Sequence, residues 1–197
     1  MSDKKTFNLK NSYAKELHEI SEKCIPTGFK QAEFLLKNYD LAEKLGFTKN
    51  FLDSKECLKI FSGNSLLKNS QPIAQGYSGH QFGHFNPQLG DGRAILLGEI
   101  DEMDIQLKGI GQTPYSRRGD GKSALSPVLR EYVISEFMHA VKIPTTRSLF
   151  ALKTNENVIR ETKLPGGVLT RVAKSHIRIG TFAVSYTHLT LPTTDRG

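Results

Sequence analysis

Two glycine-rich loops bracket one strand–turn–strand unit between Gly90 and Gly121, and this arrangement constrains the chain more than any other stretch. Arg93–Glu99 (RAILLGE) and Met103–Leu107 (MDIQL) read as two strands joined by the acidic turn Ile100–Glu102. The loop before them, Leu89-Gly-Asp-Gly-Arg93, places Gly90 and Gly92 where a backbone can approach a ligand and present its N–H groups. Arg93 adds a planar fork of donors suited to phosphate. On its own that loop reads better as a hairpin turn with a surface Arg. The loop after the strands, Gly109–Lys122, leaves Lys108 at a strand end, where it can set a point charge against a bound phosphate. Arg117 and Arg118 add charge, and Asp120-Gly121 forms a tight polar turn. Two such loops around one hairpin favour an anion site. Lys108 precedes its glycines, so the Walker pattern is absent and a P-loop NTPase is disfavoured.

The rest of the chain supplies a sheet and helices to hold that hairpin. Tyr13–Ile20 has a short helical pattern, Glu33–Leu36 reads as a strand, and Asp40–Leu45 as one or two helical turns stopped by Gly46. Asp53–Phe61 reads as a helix capped by Asp53 or Ser54. Residues 70–92 read as a long Gly/Ser/Asn/Pro-rich loop, and long ordered loops tend to be functional. The clearest helix spans Pro127–Val141, with Ser126 as N-cap and Pro127 at its first position. Its stripe of Val128, Leu129, Tyr132, Val133, Phe137, Ala140 and Val141 predicts a core-facing side. Ser148–Lys153, Val158–Glu161 and Gly167–Val172 read as strands, and Ser175–Phe182 as a further short element. This order predicts an α+β fold with an antiparallel sheet and a packed helix.

The helix carries two carboxylates that could pair with Lys108. On a helical wheel Glu136 falls inside the apolar stripe and Glu131 off it, so periodicity alone selects Glu136. Arg171 and Arg178 lie seven apart around a Ser-His pair; they either converge on one anion or decorate a strand, and spacing does not decide. His80 and His84 have the i, i+4 spacing of a metal pair, but Gly79 and Gly83 argue against the helix that spacing requires.

Charge fits an anionic partner: 27 Lys and Arg against 20 Asp and Glu leave a formal +7. A nucleic-acid-binding module would share that sign. It is disfavoured because neither an aromatic RNA-recognition signature nor a zinc pattern is present. No run approaches the roughly 18 apolar residues of a membrane span, and the opening residues lack the apolar core of a secretory signal. Cys24 and Cys57 are too few for a disulfide framework and lack the C-x-x-C spacing. The expected setting is the reducing cytoplasm, with no membrane partner.

Taken together, YSGHQFGHFNPQLGDGR, QLKGIGQTPYSRRGDG, REYVISEFMHAVKIPTTR and VLTRVAKSHIRIGTF resemble the selenoprotein O family, also called the YdiU family, over most of residues 30–182. The resemblance implies a protein-kinase-like (pseudokinase) fold, mainly its N-terminal lobe. It also implies an enzyme that binds ATP in a flipped orientation and transfers AMP to Ser, Thr or Tyr hydroxyls of target proteins. Mg2+ or Mn2+ would accompany ATP. The family's ATP contacts fall on Gly90, Gly92, Arg93, Lys108, Asp120, Gly121, Arg171 and Arg178, and its supporting helix glutamate on Glu131, against the wheel. The catalytic Asp and the metal ligands are expected downstream, so this chain is expected to hold the nucleotide site without turnover. An ordinary kinase-like phosphotransferase is the alternative enzyme. Residues 1–184 are then the N-terminal part of the adenylyltransferase domain. The Thr-rich residues 185–197 resemble translated adapter read-through and are expected to be non-native.

Overall fold

The computed structural model describes residues 9–188, with side chains through residue 184. Of the expected read-through tail, 189–197 lie outside the described residues and 185–188 fall in the last turn of helix Ile179–His188. In chain order the elements are α1 (Ser12–Glu16), a 3-10 turn (His18–Ile20), β1 (Ser21–Lys23), β2 (Glu33–Lys37), α2 (Tyr39–Lys44), α3 (Lys49–Leu52) and α4 (Lys55–Phe61). Then follow β3 (Ile73–Gln75), β4 (Gly79–Gln81), β5 (His84–Asn86), β6 (Ala94–Ile100), β7 (Met103–Lys108), β8 (Ser123–Ala124), α5 (Leu125–Ala140), β9 (Arg147–Ile159), β10 (Lys163–Ala173) and α6 (Ile179–His188).

Eight strands form one antiparallel sheet in the order β1-β3-β6-β7-β10-β9-β2, with β8 paired to β10; β4 and β5 make a separate hairpin. The fold is α+β, as expected. The β6–β7 hairpin turns through Asp101 and Glu102, both at positive φ, the backbone of a two-residue turn matched to strand twist.

Strand alternation divides the sheet chemically. Ile95 and Leu97 of β6, Ile105 and Leu107 of β7, and Phe150 and Leu152 of β9 enter the main core with Phe61 and Leu41 of the helices between β2 and β3. Each large apolar side chain sealed there contributes roughly 1.5–3 kcal/mol. The opposite face carries Gln106 and Lys108, because they interleave with Ile105 and Leu107 along β7. It is covered only in part: by α5, whose Val128 packs on Ala151 and Leu169 with Leu129 and Tyr132 beside them, and by α1, whose Tyr13 packs on Ile73 and Leu96. The open remainder of this face is where the cleft forms.

Several expectations change. Residues 70–92 are not one loop: they contain β3, β4 and β5. β3 is only three residues long, too short for a periodic signal. The segment Ser148–Lys153 and the start of the segment Val158–Glu161 are one continuous strand, β9, because Asn155 at φ 56° is absorbed within it instead of ending it; the strand ends at Ile159. Of the two caps expected for the next helix it is Ser54, not Asp53, whose hydroxyl caps Cys57 N–H at 3.1 Å, and α3 precedes it. α5 begins at Leu125 with Ala124 in the capping position, so Ser126 is not its N-cap. Its predicted core stripe is largely outside: Val133, Phe137 and Val141 are exposed, while Ser135 is buried against Ser148 at 2.7 Å. The first half of the stripe, Val128, Leu129 and Tyr132, meets the sheet, whereas its second half turns to solvent.

Candidate functional site

The cleft occupies about 760 Å³ on the polar face of the sheet. All eight residues assigned to ATP line it: Gly90, Gly92, Arg93, Lys108, Asp120, Gly121, Arg171 and Arg178. The two glycine-rich loops form its rims, and the ends of β7 and β10 its floor. Antiparallel pairing brings the parts together, since Arg171 of β10 stands opposite Gln106 of β7 and Leu169 opposite Lys108. Lys108 and Arg171 therefore project from neighbouring strands on one face.

Glu131, one turn and a half into α5, joins them. Its carboxylate accepts from Lys108 Nζ at 2.5 Å and from Arg171 Nε at 2.5 Å. The structure thus pairs Lys108 with Glu131. Glu136 instead accepts from Arg147 at 2.7 Å, from Ser148 N–H at 2.8 Å and from Asn38 at 2.7 Å, clamping the far end of α5 to β9 and the β2–α2 junction. Burial alone would raise the Glu131 carboxyl, but the Arg171 and Lys108 contacts outweigh it and hold it below the usual glutamate range. Burial, then the charge of Arg171, lowers Lys108, against the pull of Glu131. Glu131 thus holds two cations whose mutual repulsion would otherwise splay them.

The first loop is fixed from behind. Asp91, 3% exposed, points inward between the two glycines. It accepts from Tyr77 Oη at 3.2 Å and Gln106 Nε2 at 3.0 Å. Arg178 Nη2 approaches the same carboxylate at 3.5 Å, with its guanidinium 4.8 Å from the Tyr77 ring centre. Burial pushes Asp91 upward, opposed by Arg178 and Arg171. Turning Asp91 inward leaves the flanking backbone on the cleft wall. Gly90 lies at φ 61°, and a Cβ there would run into the Tyr115 ring.

The second loop is closed by Gly121 at φ 66°, where a Cβ would strike the Gly111 carbonyl. Asp120 accepts from Arg160 at 2.8 and 3.1 Å and from Lys122 N–H at 2.9 Å. Those bonds hold its carboxyl below the usual aspartate range. Arg160, which sequence reading missed because it reads as the end of a strand, lines the cleft with Arg117 and Arg118. Cations on the wall outnumber carboxylates, so the cleft suits a polyanion.

Arg171 and Arg178 converge on one cleft, which spacing left open. His80 and His84 lie on the facing strands of the β4–β5 hairpin, His80 against the Phe85 ring, and not on a helix. Among the described residues, no group of three or more His, Cys, Asp and Glu side chains comes together to hold a metal ion. Among the described residues, no helix is long and apolar enough to cross a membrane.

Comparison with known proteins gives the cleft a context. The family model described as protein adenylyltransferase SelO matches residues 4–193. A protein nucleotidyltransferase YdiU of Bacillus cereus is 55% identical over 181 residues, covering 89% of this chain and 37% of its own length. Relatives of the same name are 52% identical in Anoxybacillus flavithermus and 54% in Bradyrhizobium diazoefficiens, each over 89% of this chain. The chain thus spans less than two fifths of the length of these curated relatives.

Proposed function

The chain belongs to the SelO family of protein adenylyltransferases, and from that premise we propose that it carries the ATP site of a kinase-like enzyme that transfers AMP to protein hydroxyls. The observation that carries this reading is the convergence of Lys108, Arg171 and Arg178 in one cleft walled by two glycine-rich loops. In this reading ATP lies flipped. Its β- and γ-phosphates meet Lys108, Arg171 and Arg178, with Glu131 holding the first two in place. Arg93 and the backbone around Gly90 and Gly92 contact the phosphate chain. Asp120 and Gly121 border the nucleotide at the opposite rim.

A Ser, Thr or Tyr hydroxyl of a target protein then attacks the α-phosphorus. One O–P bond forms, the bond from the α-phosphorus to the bridging oxygen breaks, and pyrophosphate leaves with its charge neutralised by the cations already in place. The hydroxyl proton goes to an Asp that the resemblance places downstream of residue 184. Mg2+ or Mn2+ would enter with ATP as its counter-ion. The chain supplies preorganised positive charge where negative charge builds on the departing pyrophosphate, so no reorganisation is needed at the moment of transfer.

The test is label partition. Residues 9–184 are grafted onto the Bacillus cereus relative in place of its matching segment, and the chimera is given α- or γ-labelled ATP. The α-label is expected in protein, with the γ-label remaining in pyrophosphate. Transfer of γ-label to protein would instead identify a phosphotransferase.

A further inference from the structure

We propose that Gln106 is a positioning residue: a buried amide that locks the two arginines of the cleft into one arrangement and that no carboxylate can replace. The proposal rests on the polyphosphate reading of the cleft. Gln106 lies in mid-β7 and is fully buried. Its amide nitrogen donates to Asp91 Oδ2 at 3.0 Å and to Gln75 Oε1 at 3.1 Å, and its carbonyl oxygen accepts from Arg171 Nη1 at 3.2 Å. On one side Asp91 meets Arg178; on the other Arg171 meets Glu131, and Glu131 meets Lys108. One run of contacts therefore joins all three cations, and Gln106 is its only uncharged link.

That link must donate in one direction and accept in the other. A glutamate there would face Asp91 without a donor, and a lysine would face Arg171 without an acceptor. A buried amide in a sheet is costly unless fully bonded, and two of the three partners of this one, Asp91 and Arg171, line the cleft. Its neighbours Ile105 and Leu107 enter the apolar core on the opposite face, so Gln106 stands on the cleft face of the strand. The charged and titratable groups facing Asp91 and Gln106 are Tyr77, Arg171, Arg178 and His176, with Tyr13 of α1 and Tyr115 of the second glycine-rich loop also close to Asp91.

The experiment is calorimetric titration of this chain with ATP and with inorganic tripolyphosphate at low salt, from pH 8 to pH 5.5, with a thermal melt of each variant. Gln106→Glu is nearly isosteric. At pH 8 it should weaken both ligands by about 10-fold or more, the scale of a lost charge-assisted bond. As the pH falls, the introduced carboxylate and Asp91 take up a shared proton, which restores a donor between them. The ratio to wild type should then narrow to within about 3-fold. Gln106→Leu should lose affinity similarly but show no recovery at low pH. Taking ratios cancels the titration of ATP itself.

A purely structural role predicts a lowered melt with a binding ratio that does not change with pH, and that result overturns the proposal. So does wild-type affinity at pH 8 in either variant. Lys108→Ala separates the two levels. If it binds tripolyphosphate as tightly as wild type, the polyphosphate reading falls and this proposal with it. If Lys108→Ala is weakened and the Gln106 variants are not, only the role of Gln106 falls.

Discussion

Lys108 carries the most weight among individual side chains, and its surroundings explain what its loss should do. It ends β7 beside Gly109, contacts Glu131, and lines open space on its other side. Lys108→Ala removes little packed volume, so its melt should stay close to that of the parent. It should leave Glu131 with Arg171 alone and a bound phosphate undercompensated, weakening ATP by about 10-fold or more. Equal affinity in the two proteins would remove Lys108 from the site. Glu131→Gln should act the same way more gently, because an amide still accepts a hydrogen bond but no longer balances two cations. Lys108 was legible in the sequence because a lysine at a strand end before glycines has few structural reasons to be there. Asp91, Gln106 and Tyr77 were not. Each reads as an ordinary loop or strand residue, and its role depends on partners 14 to 87 positions away that only the folded sheet supplies.

α5 shows how one helix can serve two purposes through two acids five residues apart. Glu131 serves the cleft, whereas Glu136 fastens the helix to Arg147, Ser148 and Asn38. Glu136→Ala should therefore destabilise the chain by about 2–4 kcal/mol, the scale for breaking a partly buried, multiply bonded ion pair. ATP affinity of the remaining folded protein should stay within about 3-fold, and a denaturant titration beside a binding isotherm checks both. Burial raises Glu136, but Arg147, the Ser148 N–H and Asn38 outweigh it and hold its pKa low. The unfolded chain then takes up that proton first on acidification, so the stabilisation is complete above the unfolded glutamate pKa and is lost as pH falls through the folded one. Glu136→Gln should flatten the acid limb of stability as pH falls through and below the ordinary glutamate range; an unchanged limb would remove Glu136 from that balance. The wheel misassigned these acids for a physical reason. It selected the wider apolar stripe as the buried face, whereas the sheet accepts a narrower face, built around Val128 and Ser135.

At the level of the whole molecule, the antiparallel sheet separates structural from chemical duties. One face is sealed by the helices between β2 and β3. The other leaves its central strands open between α5 and the two glycine-rich loops. The sheet, the β6–β7 hairpin and the main helix were readable because their patterns are local. β3 and the unity of β9 were not, since a three-residue strand and a strand crossing a left-handed Asn155 carry no periodic signal. What the sheet assembles is, in this account, a preformed polyphosphate site, and ATP binding by the chain itself tests that most directly. Titration with ATP, inorganic tripolyphosphate and AMP should give similar affinities for the first two and an affinity at least about 10-fold weaker for AMP, because the cations face the outer phosphates. All three should weaken as salt is raised. AMP binding as tightly as ATP, or tripolyphosphate failing to bind, would contradict the account.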